Sequence, residues 1–140
     1  MKIVGKDGGP ESRVWGYFLE IKRLFSVVLL RFEDGSREAY HSHAFNSLSW
    51  VLRGELEEHQ IAGRQGWINH YTPSWRPVVT RRSTMHKVSS HGRSWVFSLR
   101  GPWSDTWREY VPGRGFITLT HGRKEVPDVA RQAGAVGPAR

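Results

Sequence analysis

Short apolar segments alternate with glycine, proline and small polar residues along most of this chain. Residues 24–32 form an apolar run, β-branched in part, and Glu33-Asp34-Gly35-Ser36 supplies turn chemistry behind it. The same grammar repeats. Residues 48–52 precede Arg53-Gly54, residues 55–62 precede Gly63-Arg64-Gln65-Gly66, and residues 67–72 precede a stretch rich in proline. Further strands are expected at 78–80, 85–88, 94–100, 106–111 and 115–120, with a turn at Ser89-Ser90-His91-Gly92 between two of them. Many short strands separated by such turns predict an all-β sandwich or barrel. Upstream, Val14, Tyr17, Phe18, Ile21 and Phe25 recur at the helical period behind Ser12, a capping residue. This pattern predicts a short N-terminal helix, and the aromatic content leaves a strand open there. The pattern divides the chain into a lead-in over residues 1–23, a barrel over 24–125 and a flexible tail over 126–140.

Within that scheme the pair in Tyr40-His41-Ser42-His43 stands out. Side chains two apart on a strand share a face, so both imidazoles would point into the barrel, where unpaired polar groups are costly unless they bind something. His86 follows in another segment of strand character and is the third candidate ligand. Three neutral imidazoles suit iron, zinc, nickel or copper. His59, His70, His91 and His121 read as ordinary solvated or hydrogen-bonded histidines.

Composition narrows the chemistry. The chain has 140 residues, the size of one domain with a substantial core, and no cysteine. Disulfides, thiolate ligands, iron–sulfur clusters and cysteine nucleophiles are thereby excluded, so any metal sits on nitrogen and oxygen. No apolar run is long enough to span a bilayer, and the N-terminus lacks the apolar core of a signal peptide; the expectation is a cytoplasmic protein without membrane contact. Arginine supplies 16 of 21 basic residues and the net charge is +8, which favours planar contacts to phosphate or carboxylate. A small anionic substrate is the expected partner. Arg76, Arg81 and Arg82 cluster before His86, where Arg82 could line the mouth of the same cavity. Arg53 and Arg100 are further anchors by position. Glu55 and Glu57 offer a carboxylate ligand or a general base, although the run Glu55-Leu56-Glu57-Glu58 reads as an outward or edge face.

Gly35, five intervening residues, His41-Ser42-His43 and then Gly54 resemble the first motif of the cupin superfamily, small jelly-roll barrels with a metal inside. Ser47 stands where that motif carries a glutamate ligand. His86 matches the second-motif histidine, but the usual Pro-x-Gly lead is absent and Ser90 replaces the expected asparagine. The resemblance spans roughly residues 24–112. More narrowly, residues 49–54, Met85-His86, Ser98-Leu99-Arg100-Gly101-Pro102 and Trp107-Arg108-Glu109-Tyr110 look like small cupins of bacteriophage and bacterial genomes, which would place a phage-encoded chain in the host cytoplasm.

The resemblance implies a cupin-type double-stranded β-helix, a homodimer, and a divalent transition metal (Fe, Zn, Ni or Mn) on His41, His43 and His86. Three-histidine cupins include thiol and diketone dioxygenases, which makes a dioxygenase the first expectation for function. A second is a non-catalytic module binding nucleic acid or nucleotide through its arginine-rich surface, with Trp67, Trp75 and Trp103 stacking bases from one face. A third is a metal-independent sugar or nucleotide-sugar isomerase or epimerase, with His43 as base and Tyr71 or Tyr110 as acid. Trp50, Trp95 and Trp107 read as packing residues.

Overall fold

The computed structural model describes residues 4–7, 12–21, 24–36, 39–121 and 123–127. Eleven strands follow one another: β1 Val4–Lys6, β2 Val14–Ile21, β3 Phe25–Phe32, β4 Gly35–Ser36, β5 Ser47–Ala62, β6 Gln65–Tyr71, β7 Val78–Thr80, β8 Met85–Arg100, β9 Thr106–Val111, β10 Gly115–Thr120 and β11 Glu125–Val126. All pairings are antiparallel. The main sheet runs β1-β2-β3-β8-β5-β6, with β4 on β8 and β7 on β5, and a second sheet runs β11-β10-β9. The fold is an all-β jelly roll of cupin type. Among the described residues no helix is long and apolar enough to cross a membrane.

The N-terminal helix is replaced by a strand. Val14–Ile21 pairs with β1 on one side and along its whole length with β3 on the other. Its valine, tryptophan, tyrosine and phenylalanine favour a pleated surface, and two neighbouring strands outweigh a helical spacing of apolar residues. The main sheet therefore starts at Val4, inside the stretch expected to be a lead-in. Of the expected tail, Val126 belongs to β11, and residues 128–140 lie outside the described residues.

Two expected turns are also absent. Residues 47–62 form one strand rather than two, and residues 85–100 form another. Gly54 has φ 88° and Gly92 φ 74°, and the β5–β8 register shifts between Val51 and Arg53 and again between Arg53 and Glu55. These are bulges, where glycine supplies the left-handed conformation that bends a strand without ending it. At Gly54 there is no room for anything larger, because a Cβ there would lie 2.2 Å from the Ser94 hydroxyl and 2.8 Å from the Arg93 carbonyl oxygen. The bends let β5 and β8 contribute to both walls of the barrel. Beyond the bends, β3 flanks β8 through residues 26–32, and β6 flanks β5 through residues 56–62.

The core follows the strand period. On β3, Ser26, Val28, Leu30 and Phe32 are buried in alternation, and the last three join Val14, Val51, Leu56 and Val96 of other strands in one core cluster.

Candidate metal centre

His41 is not on a regular strand. It sits between β8 and β9 on single bridges to His86 and Glu109. The amides and carbonyls of His41 and His86 exchange two hydrogen bonds, at 2.8 and 3.0 Å. Residues paired in this way project to the same side, so the backbone itself sets the two imidazoles together. The flanking residues secure the segment: Ser42 N–H donates to the Arg108 carbonyl, and Tyr110 N–H donates to the Tyr40 carbonyl. His43 lies two residues on. One ring nitrogen from each of His41, His43 and His86 falls within 4.8 Å of the others. The Nε2 atoms of His43 and His86 are 2.7 Å apart.

Two of the rings have their outer nitrogen engaged. Nδ1 of His41 lies 3.1 Å from the Ala39 carbonyl oxygen, and Nδ1 of His86 bonds to Oε1 of Glu58. Neither acceptor can donate, so both imidazoles carry hydrogen on Nδ1, which leaves Nε2 as the nitrogen of each ring that can bind a metal. Glu58 is itself buried and accepts from Tyr71 Oη at 2.6 Å, Gln60 Nε2 at 2.8 Å and Asn69 Nδ2 at 3.3 Å. Burial pushes its carboxyl pKa up, but the hydrogen bonds from His86, Tyr71 and Gln60 outweigh that and bring it down to about 2. Glu58 is thus a buried anion fully employed in holding donors.

The sequence reading placed Glu58 outward with the rest of its charged run. Leu56 and Glu58 share a strand face, however, and Leu56 is in the core. The inward parity of Leu56 is the signal that could have found Glu58.

The histidines line a cavity of ≈ 280 Å³ whose walls also include Val51, Phe45, Tyr71 and Trp107. Ser47, at the position of the motif glutamate, faces this cavity too. Among the described residues no carboxylate joins the three imidazoles as a fourth donor within the cluster. Such a donor set suits a divalent transition metal with coordination positions left over.

The other residues singled out by sequence are dispersed. Glu57 points to the opposite face of β5 from Glu58, with His59 Nε2 at 2.5 Å, His91 Nε2 at 3.7 Å and His70 Nδ1 at 3.9 Å from its oxygens. The hydrogen bond from His59 is the main reason its pKa is lowered. Three of the four histidines read as ordinary therefore gather around this one outer carboxylate. The strand period separates Glu57 from the cavity. Arg82 is exposed on a shallow depression that also touches Ser42 and His43, and its amide is held by Asn46. Tyr110 packs against Phe116 outside the cavity lining, because its amide pairing to Tyr40 puts Glu109 on the inner side. Arg53 is exposed, whereas Arg100 is buried and lines the cavity. Trp75 is fully exposed and Trp103 packs on Phe45 within the cavity wall, so Trp67, Trp75 and Trp103 do not form one surface face.

No protein-family model matches the chain, and no curated protein matches it. Solved structures do. An RmlC-like cupin from Shewanella frigidimarina is 17% identical with a TM-score of 0.54, over 71% of this chain and 82% of that one. KdgF from a Halomonas species is 19% identical with a TM-score of 0.54, over 71% and 86%. An oxalate decarboxylase from Bacillus subtilis is 11% identical with a TM-score of 0.54, over 67% of this chain and 26% of that much longer one. At these identities the likeness establishes the fold, which is that of the cupins.

Proposed function

We propose that this cupin-fold chain is a metal-dependent enzyme of the three-histidine dioxygenase class, holding one divalent transition ion on His41, His43 and His86. The observation that carries the reading is the convergence of the three imidazoles within 4.8 Å at the wall of a mainly apolar cavity. The Nδ1 contacts of His41 and His86 support it, since they leave Nε2 of each ring as the nitrogen available to a metal. When bound, the ion supplies Lewis-acid and redox chemistry at the positions the histidines leave open. The protein supplies the rest. Glu58 holds the His86 ring in its plane, while Val51, Leu56, Val96 and Phe45 give the cavity an apolar lining.

The isomerase reading is less well supported. Tyr71 reaches the cavity, but its hydroxyl is spent on Glu58, and burial together with that bond raises its pKa further from the range of a useful acid.

Elemental analysis tests the proposal. Wild-type protein purified without chelators is expected to carry close to one transition ion per chain, with His41→Ala and His86→Ala prepared identically carrying almost none. Absence of metal from the wild type even after soaking, or full metal content in His86→Ala, would overturn it.

A further inference from the structure

Arg100 closes β8 inside the barrel and is only 4% exposed. Its guanidinium carbon lies 4.7 Å from the centre of the Phe45 ring and 5.7 Å from that of Phe18, so two phenyl rings pack against the cation. Nη2 donates to Oδ2 of Asp7 at 2.7 Å. Nε and Nη1 are equally buried and have no hydrogen-bond partner among the described residues. Charged donors left unmade in a buried site are costlier than neutral ones. Arg100 also lines the cavity that holds the three histidines.

We infer that Arg100 anchors the carboxylate of a small molecule whose other end reaches the metal centre. The second half of that statement rests on the metal-enzyme reading above; the anchoring itself does not. Phe45 spans the interval, with its ring centre 5.1 Å from the His43 ring and 4.7 Å from the guanidinium. One phenyl ring thus separates the imidazole cluster from the cation. Val14, Leu30, Phe32, Val51 and Val96 make the surrounding wall apolar. Asp7 already balances the single charge of Arg100, so a ligand carboxylate is held through the unmade N–H donors rather than through net charge, which disfavours a dianionic phosphate. The ligand class that fits is a monocarboxylate with a short apolar body.

Calorimetric titration with hexanoate, hexanamide and inorganic phosphate tests this, with metal content measured on the same samples. Hexanoate is expected to bind the wild type at least tenfold more tightly than either of the other probes. Arg100→Gln is expected to lose about tenfold to a hundredfold in hexanoate affinity, the range for a charged hydrogen bond, while keeping its metal. His43→Ala is expected to lose metal and keep hexanoate, so failure of the anchor and failure of the metal centre give different patterns. Asp7→Asn removes the competing carboxylate and is expected to bind hexanoate more tightly. Should Arg100→Gln not fold, unchanged or weaker binding by Asp7→Asn overturns the assignment. So does equal affinity for hexanamide, tighter binding of phosphate, retained affinity in a folded Arg100→Gln, or no hexanoate binding by the wild type.

Discussion

Glu58 and His86 sit on neighbouring strands inside the barrel, with the carboxylate accepting the Nδ1 hydrogen of the imidazole. The register of β5 on β8 makes this possible, since Gln60 lies opposite His86 and Glu58 lies one inward position further along β5. The carboxylate fixes both the tautomer and the plane of a proposed ligand. Replacing it should therefore act on metal affinity without touching the ligand set. Glu58→Gln is expected to weaken the ion about tenfold to a hundredfold, measured by competition with a chromophoric chelator. Wild-type affinity in that variant would show that the ring is positioned by something else.

The depressed pKa of Glu58 also has a consequence for stability. Its folded value of about 2 lies below the ordinary 4.5, so the folded state holds the proton less tightly than the unfolded chain. The associated stabilisation is present above pH 4.5 and is lost as the pH falls toward 2. Its size at neutral pH is about 3 kcal/mol. Denaturant titrations of metal-free wild type and Glu58→Gln should show a gap at pH 7 that narrows below pH 4.5. Tyr71→Phe removes one donor from the carboxylate and should move that narrowing to higher pH. A gap independent of pH would exclude Glu58 as its source.

Gly54→Ala should destabilise the barrel by at least about 2 kcal/mol, combining left-handed strain with overpacking against Ser94. Gly63 serves as the comparison. Its φ is also positive, at 61°, but nothing lies within 4 Å of a Cβ there. Gly63→Ala should cost about 1 kcal/mol, the strain alone. Equal losses of denaturation free energy in the two variants would mean that the contact with Ser94 is relieved at no cost.

Glu57→Gln should leave the metal stoichiometry unchanged, because that carboxylate is turned to the outer histidines His59, His70 and His91. Elemental analysis of the variant decides it. Loss of the ion would mean that β5 presents Glu57, not Glu58, to the cavity.

Much of the architecture is written in local patterning. The alternation along β3 and the glycine-bounded strands follow from side-chain periodicity, and the spacing of His41 and His43 with His86 is enough to suggest one cluster. What local patterning lacks is the partner of each strand. Arg53-Gly54 has the composition of a turn, and only the presence of β8 alongside turns it into a bulge. Residues 14–21 satisfy a helical period and become a strand because β1 and β3 offer hydrogen bonds on both edges. Glu58 was hidden for a related reason, and Arg100, though named as a candidate anchor by position, had no partner visible in the sequence. Charged residues read as surface unless something inside the fold accepts or balances them, and those partners come from Tyr71, His86 and Asp7, all distant in sequence.

The unbroken course of β8 matters beyond the shape of the barrel. It carries His86 near one end and Arg100 at the other, while β5 runs beside it from Ser47 to Ala62 with Glu58 on the same inner side. His86 and Arg100, at the two ends of the cavity, are therefore fixed to one hydrogen-bonded ribbon rather than to separate loops. The span between His86 and the guanidinium is set by the course of that ribbon through its bends at Gly54 and Gly92. Remodelling loops at the rim can change what enters, but admitting a longer molecule in the same pose requires re-bending the ribbon itself.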